Sequence, residues 1–183
     1  MTLEDMKKLF ETRQSCRKYN PDRIPDSQTL KEITEMSMMS PSACNSQPWK
    51  VYVTNVPEKV RGLSKSVQPF GANKFADKCT AFAVITETAA CASEKIGVKY
   101  TKRDFIANDL GILCAHYVLA AKSAGIDSCI LGLFEEKAVK AVLDIPEDLK
   151  VRLVIALGYA AEDDKIRNKV RKNLGDTCEF ILQ

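Results

Sequence analysis

The segment 103–123 constrains this chain more than any other. Ile106, Leu110, Leu113, Tyr117 and Ala120 recur at helical spacing on one face, while Phe105, Ile112, Leu119 and Ala121 fill most of the rest. A helix apolar nearly all round must be covered on all sides. A chain of 183 residues supplies one core, so it has few elements to do so. The expected solution is a second copy of the chain covering the outer face, a homodimer. The charge-free stretch within this helix, 110–121, is about half of the roughly 20 apolar residues that a membrane span needs, and no membrane span is expected.

Around that helix the pattern alternates. Helices are expected over 3–12, from a cap at Asp26 or Ser27 to the stop at Pro41 with Leu30, Ile33 and Met36 to Met39 facing inward, over 57–66, and over 134–143. Strands are expected over 49–54, 80–86, 127–133 and 151–157, with Gly125 closing the long helix before the third. The whole of 1–183 reads as one mixed α and β domain, about four strands behind a long central helix.

Several function classes drop out. Lysine and arginine number 27 against 24 acids, a net charge of +3, and the one basic run (165–172) holds no aromatic, which disfavours a nucleic-acid partner. Seven widely spaced cysteines without a Cys-x-x-Cys pair read as reduced thiols in a cytoplasmic protein with no metal site. The eight glycines are scattered singly, so neither a dinucleotide-binding Gly-x-Gly-x-x-Gly nor a P-loop can be written. The lone histidine, His116, sits on the apolar helix with no acid at helical spacing, and is expected to be a buried structural residue.

A bound phosphate must therefore be held by side-chain cations. The candidates are Arg13-Gln14-Ser15-Cys16-Arg17, two arginines four apart flanking an amide and a hydroxyl, and Lys169-Val170-Arg171 near the far end. A third group is the loop Ser40-Pro41-Ser42-Ala43-Cys44-Asn45-Ser46-Gln47-Pro48, whose amides and hydroxyls can pair with a flat heteroaromatic ring. Taken singly, each basic cluster reads more readily as a solvated charged face than as a site, and the loop reads equally as an ordinary proline-stopped helix exit.

Together they resemble the amino-terminal signature of the FMN-dependent nitroreductase family: Arg13-x-Ser15-x-Arg17, then Asn45-x-Gln47-Pro48-Trp49. The likeness continues through Asn73-Lys74, Asp109-Leu110-Gly111, Gly132-x-Phe134, Gly158-Tyr159 and Lys169-x-Arg171, nearly the whole chain. It implies an α+β nitroreductase-like fold, with an antiparallel-type sheet of four to five strands, as an intertwined homodimer with two FMN at the interface. Arg13, Ser15, Arg17, Lys169 and Arg171 would hold the phosphate and ribityl chain, and Gln14 would reach the flavin. Pro41, Ser42, Ala43 and Asn45 of the partner subunit would contact the ring, with Gln47 nearby and Asn73 at its edge. Backbone near Ile130, Leu131 and Gly132 would approach N5, so no catalytic side chain is implied. The implied reaction is ping-pong: NADH or NADPH gives hydride to FMN, then a nitroaromatic, quinone or similar acceptor takes the electrons. Reductive dehalogenation or another flavin reaction on the same fold, and a non-enzymatic flavin-binding redox sensor using Cys44, stand beside it as alternatives.

Overall fold

The computed structural model describes residues 2–183. Helix α1 (Leu3–Thr12) starts at a capping box in which Thr2 and Asp5 exchange side-chain and backbone hydrogen bonds. Helix α2 (Ser27–Ser37) starts under the Asp26 carboxylate, which accepts from the Thr29 N–H at 2.8 Å. There follow β1 (Trp49–Thr54), α3 (Pro57–Ser66, with Pro57 at its first position), β2 (Ala81–Glu87), α4 (Ala92–Thr101), α5 (Phe105–Ser123), β3 (Asp127–Leu131), α6 (Glu136–Leu143) and β4 (Lys150–Gly158).

The four strands form one antiparallel sheet in the order β1-β2-β4-β3. Both central strands are buried on both faces, so β2 reads as a continuous apolar run with no alternation. One face carries Ala81, Ala83, Ile85, Ile155 and Leu157 against Leu110, Leu113 and Tyr117 of α5 and Leu30 and Ile33 of α2. The other carries Phe82, Val84, Val154 and Ala156 against Leu63 of α3, Val139 of α6 and the thiols of Cys16, Cys79 and Cys129. Burial pushes the Cys16 thiol up to about 12 and keeps it protonated.

Three sequence expectations need correction. His116 is exposed, its Nδ1 held 2.9 Å from the Ile112 carbonyl oxygen, because α5 packs on the sheet and on α2 through the side that bears Leu110, Leu113, Tyr117 and Ala121. The opposite strip, Gly111, Ile112, Ala115 and His116, is exposed within the protomer. Met36 and Met39 point outward, at 52% and 82% exposure, because the inward phase of α2 is Leu30, Ile33 and Ser37. Helix α4 was not expected at all: its apolar and polar residues are poorly segregated around the axis, and Ile96 and Tyr100 are exposed on it.

Among the described residues no single helix is long and apolar enough to cross a membrane, and α4 and α5 are bent at 117° to one another. Beyond β4 and the bridge at Ala160 the chain runs as an arm with one short 3-10 turn (Leu174–Asp176), leaving Val170, Phe180, Ile181 and Leu182 exposed. Leu113 is fully buried between α5 and the sheet. Leu113→Ala is expected to lower stability by about 2–5 kcal/mol, read as a shift in the urea midpoint at fixed protein concentration.

Candidate functional site

Where α1 ends, the segment 13–17 runs along the open edge of β3. Ser15 pairs with Ser128, and the Cys16 N–H donates to the Ser128 carbonyl at 2.9 Å. The arm then crosses back over this segment from about 150 residues away in sequence. Gln14 ties the two together: its Nε2 donates to Asp164 Oδ2 and the Lys165 carbonyl, and its Oε1 accepts from the Arg167 N–H at 3.0 Å. The Arg167 guanidinium donates to the Ser15 carbonyl at 2.7 Å and to Asp164 at 3.1 Å, and Lys169 Nζ donates to the Arg13 carbonyl.

Between them lies an open pocket of about 380 Å³, lined by residues 13–15, 17 and 167–171, five of them cations: Arg13, Arg17, Arg167, Lys169 and Arg171. Burial first, then the neighbouring Arg13, Arg171 and Arg167, pull the Lys169 ammonium below its ordinary pKa. Such a cluster repels itself, and a bound dianion relieves the repulsion, raises that pKa and gains charge-assisted hydrogen bonds. Arg13 also borders a second, apolar cleft of about 320 Å³ lined by Phe10, Ala115, Val118, Leu119, Ile130 and Leu153 among others. A cationic pocket sharing a wall with an apolar one suits a ligand with a phosphate at one end and an apolar body.

The 40–48 loop is held elsewhere in the protomer, and none of its residues lines the cationic pocket. Cys44, Asn45 and Gln47 all adopt left-handed backbone, with φ of 53°, 50° and 45°. At roughly 1–2 kcal/mol each for residues with a Cβ, such geometry persists only where surrounding bonds enforce it. Here they do. Both oxygens of the buried Asp109 on α5 accept from the Ala43 N–H at 3.1 Å, Ser42 Oγ accepts from the Gln47 N–H, and Ser46 Oγ accepts from the Cys91 N–H at the start of α4. Gln47 Nε2 donates to Asn45 Oδ1 at 3.1 Å, and Pro41 lies exposed at the loop's entry.

Asn73, also left-handed at φ 50°, donates through Nδ2 to the Val67 and Leu133 carbonyls and so braces the exit of β3. There Ile130 is 41% exposed, Leu131 is buried, and Gly132 has nothing within 4 Å of where a Cβ would stand. The fold thus gathers Arg13, Ser15, Arg17, Lys169 and Arg171 with Ile130 alongside, uses Gln14 as a clamp beneath them, and holds Pro41, Ser42, Ala43, Asn45 and Gln47 apart. Sequence reading gave no role to Arg167, which sits inside the basic run, or to Asp109, whose signal is one acid on an otherwise apolar helix.

These features define an α+β protein with a five-cation pocket at a sheet edge. Comparison with known proteins narrows the class: the family model described as "Nitroreductase family" matches residues 10–159. A protein of Archaeoglobus fulgidus assigned as an NADH dehydrogenase/NAD(P)H nitroreductase is 32% identical over 165 residues, 88% of either chain. The oxygen-insensitive NADPH nitroreductase of Helicobacter acinonychis is 24% identical over 93% of this chain and 94% of its own. Among solved structures, the FMN-dependent nitroreductase of Mycobacterium smegmatis in complex with NADPH superposes with a TM-score of 0.74 at 21% identity, over 97% and 98% of the two chains. The chain belongs to the nitroreductase family.

A hydrogen bond to a charged acceptor is worth about 1.5–3 kcal/mol. Asp109→Asn should therefore speed amide hydrogen exchange across 41–47 by about 10- to 100-fold, measured by mass spectrometry, while exchange in the central strands stays unchanged.

Proposed function

We propose that the protein is an FMN-dependent oxidoreductase that takes hydride from NADH or NADPH and passes electrons to nitroaromatics, quinones or similar electron-poor acceptors. The observation that carries this reading is the five-cation pocket opening beside an apolar cleft at the end of β3. FMN matches both parts, with a dianionic phosphate for Arg13, Arg17, Arg167, Lys169 and Arg171 and a flat ring system for the cleft. Relatives named as NAD(P)H nitroreductases and a neighbour described as FMN-dependent support the cofactor and the donor.

When bound, the flavin supplies the hydride chemistry, and the protein binds and orients. Ser15 offers a hydroxyl beside the phosphate, and backbone N–H groups at 130–132 offer donors where Gly132 leaves open space. The loop bearing Pro41, Ser42, Ala43, Asn45 and Gln47 completes the site from a second copy. Three features favour such a homodimer: the loop is absent from the pocket of its own chain, α5 leaves an uncovered strip, and the carboxy-terminal arm ends in exposed Phe180, Ile181 and Leu182. Seven free cysteines fit a reducing cytoplasm.

Purified under mild conditions, the protein should release about one FMN per chain on heating, and its visible absorbance should bleach anaerobically with a nicotinamide nucleotide. Replacing both Arg13 and Arg171 by alanine should weaken FMN binding by about 100-fold or more, at 1.5–3 kcal/mol for each lost charge-assisted bond. Full flavin occupancy in that double variant would overturn the phosphate assignment.

A further inference from the structure

The arm after β4 is tied down at one place. Among the described residues, every hydrogen bond from 165–183 to the body of the protein goes to Arg13, Gln14 or Ser15. The Lys165 carbonyl and the Arg167 N–H meet the Gln14 amide, the Arg167 guanidinium meets the Ser15 carbonyl, and Lys169 Nζ meets the Arg13 carbonyl. No buried apolar side chain adds to these ties: Ile166 and Val170 are exposed, and Lys169 alone in 165–183 is half-buried. A segment held by a few polar bonds and no apolar anchor lies at the low end of local stability.

Charge works against the same ties. Docking the arm sets Arg167, Lys169 and Arg171 against Arg13 and Arg17 of the body. Asp164 compensates Arg167 at 3.1 Å, while Asp163 is spent on Lys18. Among the described residues Arg13, Arg17, Lys169 and Arg171 have no carboxylate partner. The polar bonds therefore pull the arm down and the cations push it off. A dianionic group placed between the two sets turns that repulsion into attraction on both sides.

We infer that the arm is a strap fastened by the ligand's phosphate group: 165–171 closes when that group bridges Arg13 and Arg17 to Lys169 and Arg171, and loosens without it. This rests on the phosphate reading of the pocket proposed above. The two events are linked, so the ratio by which phosphate favours the closed arm is the ratio by which the closed arm tightens the ligand. With a charge-assisted hydrogen bond contributing about tenfold or more, Lys169 and Arg171 together supply about 100-fold.

The test is amide hydrogen exchange over 165–171, where the Arg167 N–H is protected by Gln14 when the arm is docked. It is read by mass spectrometry in phosphate-free buffer on the flavin-free protein, with saturating FMN, and with riboflavin. FMN should slow the exchange by about 100-fold, and riboflavin, which lacks only the phosphate, should not slow it. Lys169→Gln should cut the FMN effect by about tenfold, with unchanged exchange in β2 showing that the fold is intact. A variant that keeps the whole FMN effect overturns the bridge through Lys169. Equal slowing by the two flavins, or bound FMN with exchange over 165–171 unchanged, overturns the strap and leaves flavin binding standing. Failure of FMN to bind at all overturns the flavin reading, and this inference with it.

Discussion

The site depends on one long-range interaction: the arm after β4 is laid across the segment after α1 and clamped there. Gln14, Arg167 and Asp164 form a small network in which one amide bonds to three points of the arm and one guanidinium reaches back to the Ser15 carbonyl. The clamp crowds five cations around one pocket of about 380 Å³. Crowding of like charge opposes folding, and the network offsets it by giving Arg167 a carboxylate partner and Lys169 a backbone acceptor.

Around that clamp the rest of the molecule acts as a frame. The antiparallel sheet fixes β3 at one edge, where Ser15 and Cys16 can extend it, and α5 spans the sheet so that its inner face organises the core while Asp109 anchors the 40–48 loop. The loop's three left-handed residues are a local cost met by those anchors, and their side chains face away from the core. One chain thus keeps the cationic pocket and the 40–48 loop apart, and under the proposed function a second copy would bring them together.

Much of this was legible in the sequence, for identifiable reasons. The strands were found because β2 and β4 are apolar runs bounded by turn residues, and the helices over 3–12 and 134–143 because helical apolar spacing and a following proline turn mark them. The two basic segments stood out because a pocket without a glycine-rich turn must use side-chain cations, and the clamp lays them side by side around one pocket. Helix α4 escaped because its apolar residues do not form one stripe, and His116 was misplaced because an apolar helix gives no sign of which flank its own chain leaves bare. The role of Gln14 was invisible for a different reason: a clamp between positions 14 and 167 leaves no local pattern.

The central claim is that the cationic pocket holds the ligand's phosphate. It is tested most directly by comparing the dissociation constants of FMN and riboflavin for the flavin-free protein, since the two differ only in that group. At about 1.5–3 kcal/mol per charge-assisted hydrogen bond, FMN should bind at least about 100-fold more tightly, with the advantage shrinking as salt rises. Equal affinities for the two flavins would contradict the account.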